Sequence, residues 1–274
     1  MSIAPLGERF PRPSVMGVVN VTPDSFSDGG VHLDPGGAAA AARQMIEDGA
    51  AVVDIGGEST RPGSEGVGVD EELRRVLPVL ERLAGAVPLS IDTAKAEVAR
   101  RALELGALMI NDVTAFRGDP SLAEVAAAGG AYVCLMHMQG EPRTMQLDPR
   151  YDDVAAEVAA FLEERLEFAV SQGVSEERIC LDPGIGFGKT PAHNFELVRR
   201  LDVLLELGRP VLLGFSRKSS LGRVLGDAAA TTGPLAASVA AAVTAYERGA
   251  SILRVHDVRE HVEALTVARA VVGA

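Results

Sequence analysis

The chain has 274 residues, of which 47% are hydrophobic and only 4% aromatic, and its formal net charge is −12. That length suits one large domain. The acidic balance disfavours nonspecific binding to nucleic acid or to anionic membranes, but a local cationic pocket can still take an anionic small molecule. No stretch approaches the roughly 18 unbroken apolar residues of a membrane span. Residues 1–13 carry Pro and charges without an apolar core, so no signal peptide is expected there and a cytoplasmic protein is the default.

In chain order, eight short apolar runs stand out: Val15–Val21, Val52–Ile55, Leu89–Ile91, Leu108–Ile110, Tyr132–Met136, Ile179–Leu181, Val211–Phe215 and Ile252–Val255. Amphipathic stretches follow them at 35–48, 69–84, 94–105, 120–128, 150–172, 191–207, 231–248 and 257–272. The runs recur at about 34 residues, close to the unit of an eight-fold β/α barrel. Gly49, Gly106, Gly129, Gly173, Gly208 and Gly249 fall where helices should close. Asp119-Pro120 and Thr190-Pro191 fall where helices should start, and Pro78 predicts a kink or break inside 69–84. The expected fold is a single-domain (β/α)8 TIM barrel over 14–274, preceded by an N-terminal extension at 1–13. A doubly wound open sheet also alternates strands and helices, but it concentrates ligand groups at one switch point. Here nearly every run ends in polar residues. Cys134 and Cys180 lie inside runs and read as buried small hydrophobes in a reducing compartment.

Those endings hold Asn20, Asp54, Asp92, Asn111, His137, Asp182, Ser216 with Lys218, and Arg254 with His256. In a barrel the carboxyl ends of all strands meet at one face, where the active site lies. Asp92, Asn111 and Asp182 can grip the paired N–H donors and mixed edge of a flat heterocycle. Lys218, Arg254 and His256 follow the last two runs, where this fold often binds phosphate, and are expected as a cationic wall facing the acids. Of the adjacent Arg217 and Lys218, only one is expected to face the site. Arg61 lies on the second of two long, Gly- and Ser-rich segments, Thr22–Asp34 and Gly56–Gly68, which read as lids. Asn20 can serve a hard cation whose remaining ligands come from substrate phosphates and water. Asp182–Thr190 is glycine-rich but is not a nucleotide loop: Pro183 stands where a P-loop needs glycine, and Lys189 stands where a dinucleotide fingerprint needs its third.

Met16–Gly30 (MGVVNVTPDSFSDGG) and Asp54–Gly63 (DIGGESTRPG) resemble the two long signatures of the bacterial-type dihydropteroate synthases, the sulfonamide-target family of folate synthesis. The sequences SIDT at 90–93, INDV at 110–113, MHM at 136–138, DPGIGF at 182–187, GFSRKS at 214–219 and RVHD at 254–257 continue the pattern in order across 14–272. The resemblance implies a transferase that condenses 6-hydroxymethyl-7,8-dihydropterin diphosphate with 4-aminobenzoate, giving 7,8-dihydropteroate and diphosphate. It implies catalytic roles for Asp92, Asp182, Lys218 and Arg254. Asp92, Asn111, Asp182 and Lys218 would hold the pterin, and Asn20, Arg254 and His256 the diphosphate with Mg²⁺. Thr60, Arg61, Pro62, Phe187, Ser216 and Lys218, with Phe26, would hold 4-aminobenzoate. Asp54 would support the second loop or the metal region. A homodimer is implied as well. Three other readings use similar parts: a methyltetrahydrofolate-binding methyltransferase barrel, a Schiff-base aldolase on Lys218, and a noncatalytic binding protein. The first should lack the diphosphate set and the Ser-Arg-Lys motif, and both are present.

Overall fold

Each apolar run forms a strand, and every strand pairs in parallel with its neighbours. The computed structural model describes residues 3–22, 34–61 and 63–273. The strands are β1 (Ser14–Asn20), β2 (Val52–Gly56), β3 (Leu89–Asp92), β4 (Met109–Asp112), β5 (Tyr132–Met136), β6 (Ile179–Asp182), β7 (Leu212–Leu213) and β8 (Ile252–Val255). Ladders run β6-β5-β4-β3-β2-β1-β8-β7. A parallel bridge between Leu181 and Val211, with Leu181 N–H donating to the Pro210 carbonyl at 3.0 Å, closes the ring. β7 is shorter than the expected run 211–215, because the chain leaves the ladder after Leu213 and turns at Phe215, whose carbonyl accepts from Lys218 N–H at 3.2 Å.

Helices α2 (Pro35–Glu47), α3 (Val69–Leu83), α4 (Ala96–Glu104), α5 (Ser121–Gly129) and α6 (Val154–Ser171) follow the first five strands. After β6 come α7 (Pro191–Arg199) and α8 (Leu201–Leu205). After β7 come α9 (Ser219–Val224) and α10 (Leu235–Glu247), and α11 (Val258–Val272) follows β8. Capping side chains start several of them: Asp34 accepts from Gly37 N–H, Asp153 from Ala155 and Ala156, and Thr190 from His193. Asp119 accepts from Ser121 N–H at 3.1 Å and also from Ala96 N–H at 2.9 Å, so it serves α5 and α4 together. At the end of α5 the left-handed residue is Gly130, φ 61°, one position after the expected Gly129.

Two expectations fail. Pro78 does not break α3; the helix runs through it from Val69 to Leu83. The carbonyl that its missing N–H leaves free belongs to Arg74, whose side chain is 73% exposed, so water can satisfy it. The stretch 191–207 is two helices, because Arg200 leaves helical geometry (φ −108°, ψ 40°) while its guanidinium binds Asp153.

Strand alternation sorts side chains into two cores. Outward residues such as Val53, Ile55, Ile91, Ile110, Leu135 and Leu253 pack against the helices. Inward residues at the amino ends of the strands, Met16, Val52, Met109, Cys134, Cys180, Leu212 and Ile252, form a second cluster with Leu6 and Phe10. Leu6 lies on α1 (Leu6–Arg9), a single turn within the 1–13 segment. That segment therefore plugs the barrel's lower end, and the Tyr132 hydroxyl donates to the Ala4 carbonyl at 2.8 Å to hold it. Both cysteines are free and buried, as the sequence suggests.

Candidate active site

Above this apolar floor the same alternation turns polar side chains inward. Asp54 is fully buried; its Oδ2 accepts from Asn111 Nδ2 at 2.8 Å and from Arg254 Nε at 2.8 Å. Arg254 Nη2 donates to Asp92 Oδ2 at 2.9 Å. One guanidinium thus joins β2, β3 and β8, and Asn111 adds β4. The expected separation of acids and cations onto facing walls is overturned: Arg254 sits among the acids, because no buried charge is stable without a close counter-charge. Asp54 likewise turns to Asn111 and Arg254, so what it supports directly is these two side chains.

Electrostatics follow from burial and these contacts. Burial opposes the Arg254 charge, but Asp54 and Asp92 hold its pKa above the ordinary value. Burial raises Asp92 against the pull of Arg254. Burial lifts Asp182 to about 6, against Gly184 N–H, Lys218 and Arg254. Burial, then Arg254, brings the Lys218 ammonium down to about 8. His256 was expected among the cations. Burial and then Arg217, Arg254 and Lys218 depress its imidazole to about 3, so at neutral pH it is uncharged. An uncharged imidazole can meet an anion only as an N–H donor; its Nδ1 lies 3.1 Å from Ser216 Oγ. Of the adjacent pair, Arg217 turns to Asp257 in a two-pronged pair (3.1 and 2.7 Å), while the Lys218 Nζ lies 4.4 Å from the centre of the Phe187 ring.

The turn after β6 carries groups that sequence reasoning missed. Lys189 is 2% exposed. Its Nζ lies 2.8 Å from His137 Nδ1 and donates to the Phe187 carbonyl at 3.0 Å. Burial lowers Lys189 to about 7, and burial, then Lys189, lowers His137 to about 2, so the imidazole is a neutral acceptor. Gly184 (φ 69°) lets the turn lie on the His137 backbone, where a Cβ would come within 1.9 Å of the carbonyl oxygen. Asn194 on α7 accepts from Gly186 N–H at 2.8 Å and donates to Ser220 Oγ at 2.8 Å, tying the turn to α9. The only available signals were a lysine in a glycine-rich turn and an asparagine on an otherwise apolar helical face.

The strand ends and the turn after β6 open on one cavity of about 880 Å³, with Asp54 and His137 behind its wall. It is lined by Asn20, Thr60, Arg61, Asp92, Asn111, Asp182, Phe187, Ser216, Lys218, Arg254 and His256, so every described candidate meets there. Pro62 and Phe26, and most of the first long segment, lie outside the described residues. Val113, Met136 and Ile185 add apolar surface suited to the faces of a flat ring. Among the described residues no group of three or more His, Cys, Asp or Glu could hold a metal ion. The Asn20 amide in this cavity suits a hard cation that takes most of its ligands from elsewhere.

Comparison with known proteins agrees with this geometry. The pattern described as pterin binding enzyme matches residues 16–256. The chain belongs to the pterin-binding enzyme family. Dihydropteroate synthase of Escherichia coli (strain K12) is 48% identical over 268 residues, 96% of this chain and 93% of that relative. A crystal structure of the Yersinia pestis dihydropteroate synthase with a sulfonamide drug complex superposes with a TM-score of 0.90 at 46% identity, covering 97% of this chain and 96% of that one. The Xanthomonas albilineans dihydropteroate synthase with 4-aminobenzoic acid gives 0.87 at 50% identity, covering 97% and 95%.

Proposed function

We infer that this protein is a transferase of the dihydropteroate synthase type, joining 6-hydroxymethyl-7,8-dihydropterin diphosphate to 4-aminobenzoate. The observation that carries the reading is the convergence of Asp92, Asn111, Asp182, Lys218 and Arg254 on one cavity at the barrel mouth. Asp182 and Asp92 accept the ring's N–H groups, and Asn111 both donates and accepts. Lys218 donates from the side of Phe187. Arg254 and the neutral His256 donate to the diphosphate. Mg²⁺, held by Asn20 and by oxygens of the diphosphate itself, would supply further neutralisation of the leaving group.

Reaction breaks the bond between the pterin methylene carbon and the diphosphate oxygen, and the electron pair leaves with the diphosphate. Arg254 and His256 stabilise that charge where it develops. The methylene carbon becomes electron-poor, its positive charge spreads into the ring, and the carboxylates of Asp92 and Asp182 favour that spread. The aromatic amine, placed by Thr60, Arg61, Phe187 and Ser216, forms the new C–N bond and passes its surplus proton to the released diphosphate or to water. No covalent enzyme intermediate is needed. The S_N1-like order comes from the carbocation-stabilising character of the ring.

The protein acts in the cytoplasm as a homodimer on this reading. What supports the dimer is exposed apolar surface at Val267, Val271 and Val272 of α11 and at Leu235 of α10. Among the described residues no helix is long and apolar enough to cross a membrane. The deciding assay follows diphosphate release from the pterin diphosphate, Mg²⁺ and 4-aminobenzoate, omitting each in turn. Release should require all three; release indifferent to 4-aminobenzoate would overturn the reading, and sedimentation at the monomer mass would overturn the dimer.

A further inference from the structure

The segment between β2 and α3 carries Thr60 and Arg61 to the cavity, and its two ends meet at a single side chain. Glu58 Oε1 accepts from Val67 N–H at 3.0 Å, so the carboxylate spans the neck of the loop. Gly66 permits this approach: a Cβ there would lie 2.8 Å from the same oxygen. Glu58 Oε2 accepts from Lys95 Nζ at 2.5 Å, and Lys95 also donates to Glu72 Oε2 at 2.5 Å. Glu72 is fully buried on α3, Lys95 precedes α4, and the Lys95 and Glu58 side chains are 21% and 22% exposed. Charges this dry are screened weakly, so the chain of ion pairs is stiff. Burial opposes the Lys95 charge, but Glu58 and Glu72 hold its pKa above the ordinary value. Within the loop, the Ser64 hydroxyl is shared between the Ser59 and Arg61 carbonyls at 2.6 and 2.7 Å, which braces Ser59 and Arg61 against Ser64. Gly63 N–H reaches the Pro142 carbonyl at 3.1 Å.

We propose that Glu58, held by Lys95 (itself anchored on Glu72), is a positioning residue for the second substrate: it clamps the neck of the 58–67 loop so that Thr60 and Arg61 meet 4-aminobenzoate. The inference rests on the proposed function and deepens it. Glu58 itself does not line the cavity. The groups assigned to the pterin, Asp92, Asn111 and Asp182, stand on β3, β4 and β6 and do not depend on this loop. Loss of the clamp should therefore separate the two substrates.

The test uses Glu58→Gln, which keeps an oxygen for Val67 N–H but loses the charge for Lys95, and Glu58→Ala, which loses both. Hydrogen exchange at the Val67 amide should quicken in Glu58→Ala. The KM for 4-aminobenzoate should rise about tenfold in Glu58→Ala, less in Glu58→Gln, as for loss of a charge-assisted hydrogen bond. Calorimetric affinity for the pterin diphosphate should stay within about twofold of wild type, a split that a merely structural defect would not produce. Unchanged KM for 4-aminobenzoate in both variants, or equal losses for the two substrates, would overturn the proposal. Wild-type protein that releases no diphosphate would instead sink the underlying function and the proposal with it.

Discussion

Asp182 shows how a single residue trades stability for function. Its ordinary carboxyl pKa is 3.8, and burial lifts it to about 6 in the folded chain. Between about pH 4 and 6 the folded state binds more protons than the unfolded state, so its contribution to stability falls as pH rises through that window and stays lost above it. Binding has the opposite preference, because the ring donors need an ionised acceptor. Asp182→Asn should raise the melting temperature at pH 8 and flatten the dependence of stability on pH between 4 and 6. Turnover should fall about a hundredfold or more; a variant with wild-type turnover would contradict the role. Asp54 works in the other direction. It is the shared acceptor of Asn111 and Arg254, and Asp54→Ala leaves a buried guanidinium short of a partner. Urea unfolding should register a loss of about 3–5 kcal/mol, and a loss under about 1 kcal/mol would show that Arg254 re-pairs fully with Asp92.

Among the elements, the turn after β6 is the most constrained. Lys189 pins it from below, Asn194 ties it sideways to α9, and Gly184 sets how closely it lies on the His137 backbone. Gly184→Ala meets a carbonyl oxygen and an unfavourable φ together, so it should cost about 3 kcal/mol or more. An unchanged urea midpoint would show that the turn can lift without loss. This element also marks the limit of pattern reading. Its strand, its terminal Asp182 and its glycines are visible in the sequence. The cage around Lys189 is not, because it is assembled from residue 137 on β5's loop, 52 residues away. The same limit explains α3. A proline inside a helical pattern locally signals a break, but exposure of the Arg74 side decides whether the freed carbonyl matters.

At the scale of the whole molecule, the barrel is stacked in two tiers, an apolar floor closed by Leu6 and Phe10 and a polar cup above it. The tiers should fail separately. Phe10→Ala opens a cavity in the floor and should cost about 3–5 kcal/mol in unfolding free energy. The KM for 4-aminobenzoate should stay at its wild-type value in the protein that remains folded, and a parallel rise in KM would show that floor and cup are coupled. The net charge of −12 is carried elsewhere than in this cup, where Arg254, Lys218 and Arg61 supply cationic groups for an anionic ligand.

The sequence by itself determined the eight β/α units, because strand runs, helical periodicity and closing glycines are local signals that need no partner. It also determined that the strand-end residues would share one cup, since parallel strands closed into a ring can present their carboxyl ends only to one face. Tertiary structure alone decided how the charges pair. Arg254 meets Asp54 and Asp92 across 200 and 162 residues. His256 is neutral, and Glu58 is held by Lys95, which Glu72 anchors in turn. The physical reason is that the charge a side chain carries and the partner it chooses depend on burial and on the register between strands, which are set only when the ring closes.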